Sequence, residues 1–73
     1  MQTYLTNLAE LFKLAAMYSD KAMTGHLAKL LELSMQPKEA LAYWQKYVAY
    51  FRTVADTLLL QEIEDYLTDK ARD

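Results

Sequence analysis

Cysteine is absent from the 73 residues, glycine and proline occur once each, and there is a single histidine. Each shortage excludes something. Without cysteine there is neither a disulfide framework nor a thiolate metal site. Two turn formers, Gly25 and Pro37, cannot punctuate the many reversals of an all-β chain. One glycine cannot build a phosphate-cradling loop, and one histidine cannot make a recurrent zinc site. No run of about 18 apolar residues occurs, so no membrane span is expected, and Glu10 and Lys13 interrupt the apolar residues a secretory leader would need. The cytoplasm is the expected location.

What is present favours helix. Hydrophobic residues make up 53% of the chain, and Ala, Leu, Lys, Glu, Gln and Met, all good helix formers, dominate it. The expectation is one all-α domain over residues 1–73. A chain this short buries only about 60% of the surface its unfolded form exposes. Small domains without disulfides or metals compensate by associating. The formal charge of −2 argues against a nucleic-acid binder. It is unevenly spread: residues 1–55 carry six basic and four acidic groups, residues 56–73 two and six.

At 100° per residue, Leu5, Leu8, Leu11, Phe12, Ala15 and Tyr18 fall on one arc, with Thr6, Glu10, Lys13 and Met17 opposite. That predicts an amphipathic helix from residue 4, capped by Thr3. A stripe of helical spacing continues through Ala22, His26, Leu30 and Leu33. A single helix over 4–34 and a chain broken between 18 and 25, with Ser19 or Asp20 as the second cap, are therefore both open. The firmest boundary is at Ser34–Glu39. Pro37 suits a first helical position, Glu39 suits the positive end of the helix dipole, and Met35 is placed to staple against Ala40 or Leu41. A second helix is expected over 37–70, giving an antiparallel helical hairpin that dimerises into a helical bundle.

Leu41, Trp44, Val48, Phe51, Ala55 and Leu58 form a heptad-like seam in that second helix. Beyond Ala55, Glu62 and Asp65 occupy the next core positions while Leu59, Ile63, Tyr66 and Leu67 are apolar. The register shift implies either a straight helix that changes neighbour or a kink near residue 60. Tyr43 and Tyr50 widen the apolar surface further. Tyrosine, tryptophan and phenylalanine are good interface residues, with large rigid area and, for tyrosine, a hydroxyl tolerant of a wet rim. The expected partner interface comprises Tyr43, Trp44, Tyr47, Tyr50, Phe51, Leu59, Ile63, Tyr66 and Leu67. Residues Pro37 to Lys46 resemble one helix of a tetratricopeptide unit, with Ala40 and Trp44 in packing places. The likeness has no partner at a period of about 34 residues, lacks the glycine turn, and carries no function here.

Candidate chemistry is sparse. His26 is the one side chain that titrates near neutrality by default, with no cysteine, serine or second histidine near it in sequence. Glu62, Asp65 and Asp69 share a helix face, but a hard cation needs six or more oxygens in a shaped loop. No nucleophile elbow or paired cysteine motif occurs. The expectation is a non-enzymatic protein–protein interaction module without metal or cofactor: a homodimer acting as a regulator, inhibitor or assembly subunit on another, unidentified protein. The alternative is a dimeric DNA-associated transcriptional regulator presenting Lys21, Lys29, Lys38, Lys46 and Arg52 on one surface.

Overall fold

The computed structural model describes residues 3–72. They form four helices: α1 (Thr3–Met17), α2 (Lys21–Glu32), α3 (Pro37–Phe51) and α4 (Thr57–Arg72). Each helix packs on its neighbours in sequence, and α4 closes on α1. These contacts close a compact all-α four-helix bundle of 35 × 21 × 20 Å. The cap expected at Thr3 lies outside the described side chains.

The break in the first arm is real, and it follows from backbone chemistry at three residues. Ser19 adopts a left-handed conformation, φ 53°. This lets its own amide donate to the Ala16 carbonyl at 3.1 Å and the Asp20 amide to that of Ala15 at 2.8 Å. That paired closure satisfies carbonyls the end of α1 would otherwise leave open. Asp20 then changes role. Its carboxylate accepts the Met23 amide at 3.0 Å and so caps the start of α2. One residue ends the first helix and begins the next.

The second arm differs from the single 37–70 helix that its composition suggests. It divides at residues 52–56, where α3 ends and α4 begins. There is no glycine or proline there. The Thr53 hydroxyl instead donates to the Tyr50 carbonyl at 2.8 Å, competing with the helical ladder, and the amides of Val54 and Ala55 both turn back to the Phe51 carbonyl. Val54 and Ala55 pack against the core. Reversal here lays Leu60, Ile63 and Leu67 over Trp44 and Phe51, all of them buried. Burying each such side chain stabilises by about 1.5–3 kcal/mol, enough to override an unbroken helix whose far half would stand in water. The register shift after Ala55 is therefore the phase difference between two helices.

The arrangement also corrects individual placements. Leu58, expected on the seam, is 72% exposed, and Leu5 and Tyr18 lie outside the buried face of α1. Met35 is 89% exposed and staples nothing, whereas Pro37 does occupy the first turn of α3 with Glu39 beside it. Among the described residues, no helix is long and apolar enough to cross a membrane.

Candidate partner-binding face

The nine residues expected at an interface divide by helical phase. Trp44, Phe51, Ile63 and Leu67 point inward and are core residues of the single chain. Trp44 and Phe51 stack with centroids 5.2 Å apart, and the indole Nε1 donates to Glu64 Oε1 at 3.1 Å. They are buried within the single chain, in one core cluster. Tyr43, Tyr47, Tyr50, Leu59 and Tyr66 are half-buried. Of these, the three tyrosines of α3 lie at spacings of four and three, so they share the flank turned toward α2.

There they meet His26. Its ring stacks on Tyr47 with centroids 4.1 Å apart, meets Tyr50 and Phe51 edge-on, and is joined through Nδ1 to the Tyr43 hydroxyl at 2.8 Å. Tyr50 closes the opposite end of this face: its hydroxyl reaches both oxygens of Asp20, at 2.6 and 2.7 Å. That hydroxyl and the Met23 amide hold the Asp20 carboxyl below its usual range, and the same bond pushes the Tyr50 phenol up. Burial, and then the neighbouring Tyr47, push the Tyr43 phenol up as well. Lys46 lies 5.5 Å from the Tyr47 ring centre, within cation–π range. The result is a pre-ordered aromatic surface across α2 and α3, with fixed hydroxyls and a cation at its edge.

Tyr66 and Leu67 belong elsewhere. Tyr66 stacks almost parallel on Tyr4, 4.4 Å centre to centre. With Ser34, Met35, Pro37 and Lys70 they line a groove of about 290 Å³ at the end of the bundle. Tyr4 is 5% exposed, and its hydroxyl finds no hydrogen-bond partner among the described residues. Burial, and then Tyr66, push that phenol up to about 12.

Tyr4 and Asp20 are the residues that periodicity missed. Asp20 reads from sequence only as a cap, because nothing local announces that Tyr50 will reach it from 30 positions away. The separation of Tyr43, Tyr47 and Tyr50 from Trp44 and Phe51 is legible in their phase along the helix. Among the described residues, no group of three or more histidine, aspartate or glutamate side chains converges where a metal ion could sit. Arg52 lines a groove between α3 and α4 with Glu64. Comparison with protein-family models, with curated proteins and with solved structures gives no match.

Proposed function

We propose that this chain works in the cytoplasm as a non-enzymatic protein–protein interaction module: a small homodimeric regulator, inhibitor or assembly subunit that engages another protein through the α2/α3 face. The observation that carries this reading is the cluster of His26, Tyr43, Tyr47 and Tyr50. Its rings are half-buried and packed together, His26 stacked on Tyr47, tilted against Tyr43 and edge-on to Tyr50, with three of the four tied by hydrogen bonds. A surface already ordered in the free chain loses little side-chain entropy when a partner covers it. Tyrosines placed this way supply both apolar area and hydrogen bonding.

The test compares capture from source-cell extract by the wild type and by Tyr47→Ala, with binding of the captured protein then measured in purified form. The expected outcome is a discrete partner whose affinity falls at least about tenfold in the variant, as for an interface hot spot. Equal binding by both proteins removes this face from the reading. Salt-dependent retardation of duplex DNA by the purified chain would instead favour the DNA-associated alternative.

A further inference from the structure

On the outward side of α1 and α2, exposed apolar side chains lie beside the charged residues Glu10, Lys13, Lys21 and Glu32. On α1, Leu5, Ala9, Phe12 and Ala16 fall within an arc of about 60° at 100° per residue. They flank the core on the side away from α4, because Asn7, on the opposite flank, donates to Glu62 of α4 at 3.0 Å. On α2, Thr24, Ala28 and Leu31 occupy a similar arc, opposite the flank from which His26 reaches α3. The two arcs border one groove. All of these side chains are exposed except Phe12, which is half-buried.

The relief of this face is uneven in a useful way. At one end stand two leucines, Leu5 at 55% and Leu31 at 41% exposure. At the other, Ala15, Ala16, Ser19 and Thr24, with Asp20 and Lys21 at the turn, border a hollow of about 340 Å³. A two-fold axis perpendicular to the helices would exchange the ends and bring the leucines of each copy to the hollow of the other. Charge follows the same symmetry. Lys21 and Glu32 are three turns apart on α2, about 16 Å, and lie within about 20° of one another around it. Such a two-fold would set Lys21 of each copy against Glu32 of the other. Glu32, although 3.4 Å from Lys29, keeps 71% of its side chain exposed.

We propose that the α1/α2 face is where two copies of this chain associate, with Leu5 and Leu31 seated reciprocally over Ala16 and Thr24, and Lys21 paired with Glu32. This rests on the reading of the chain as a homodimer and names the face responsible. It leaves the α2/α3 tyrosines free for a different protein.

Sedimentation equilibrium of the full chain tests it, with far-UV circular dichroism confirming the fold of each variant. The wild type is expected to be a dimer at micromolar concentration. Ala16→Arg fills the hollow with a charge and is expected to raise the dimer dissociation constant at least about a hundredfold. Lys21→Glu and Glu32→Lys each break two symmetry-related pairs. Each is expected to weaken the dimer by about tenfold, and the double variant to recover most of that loss. The double variant keeps the proposal falsifiable should Ala16→Arg fail to fold. Tyr47→Ala leaves the dimer unchanged while weakening partner capture, so failure of the partner reading and failure of this one are separable. A wild type that stays monomeric at hundreds of micromolar overturns the proposal. So does a dimer indifferent to the charge reversals, or one abolished by Tyr47→Ala.

Discussion

The Tyr50 hydroxyl lies 2.6 and 2.7 Å from the two carboxylate oxygens of Asp20. The same carboxylate caps α2, so a single anion fastens the start of α2 to the end of α3. Asp20→Asn retains a good capping side chain but offers the phenol a neutral acceptor, whereas Asp20→Ala removes both functions. The melting temperature is expected to fall in the order wild type, Asp20→Asn, Asp20→Ala, with Tyr50→Phe close to Asp20→Asn. Thermal melts followed at 222 nm check the order. The pH dependence has a definite sign. The folded state holds the Asp20 carboxyl below its ordinary value of 3.8, so its contribution is complete above that value. It disappears as pH falls through the lower folded-state value. The stability gap between wild type and Asp20→Asn is therefore expected to close in strong acid.

Ser19 occupies a left-handed backbone well at φ 53°, which costs a residue with a β-carbon roughly 1 kcal/mol. Its side chain is exposed. Ser19→Gly is expected to stabilise the chain by about 0.5–1 kcal/mol in urea denaturation, a gain that among the described residues only Ser19 offers.

Tyr4 buries a hydroxyl without a partner among the described residues. Deleting an unsatisfied buried polar atom relieves its desolvation cost. Tyr4→Phe is thus expected to raise stability by about 1 kcal/mol while preserving the stack on Tyr66. A loss of stability on urea titration would show that the hydroxyl has a partner after all.

Trp44 is the chain's single tryptophan, fully buried, stacked on Phe51 and bonded to Glu64. Its fluorescence is expected to be blue-shifted and shielded from iodide. Trp44→Ala is expected to cost about 3–5 kcal/mol. A domain of this size holds roughly 4–11 kcal/mol in total, so the variant is expected to be largely unfolded or molten at 37 °C by near-UV circular dichroism.

Helical content, the inward role of Leu8, Leu11 and Ala15, and the boundary at Pro37 were legible in periodicity and in one proline, because both are local signals. The break at Ser19 was legible as one of two readings; its cause, a serine in a glycine-like conformation, leaves no mark in composition. The break at residues 52–56 left a trace in the register shift after Ala55, but neither its place nor a full chain reversal was legible. Arg52 to Asp56 contain no residue forbidden to a helix, and only the burial of Leu60, Ile63 and Leu67 against Trp44 makes the reversal favourable. On the binding face, the three tyrosines could be found by phase. The contributions of His26 and Asp20 depend on α2 and α3 lying antiparallel, which is a tertiary fact.

Each helix touches only its neighbours in the chain, apart from the closure of α1 on α4, and the intervening turns are three, four and five residues long. Almost every contact can therefore form before distant parts of the chain meet. Topologies of this kind sit at the fast end of the folding spectrum, in microseconds to milliseconds. Docking α4 beside α1, where Asn7 meets Glu62, is the step that must close a long loop, and that closure costs chain entropy before its contacts form.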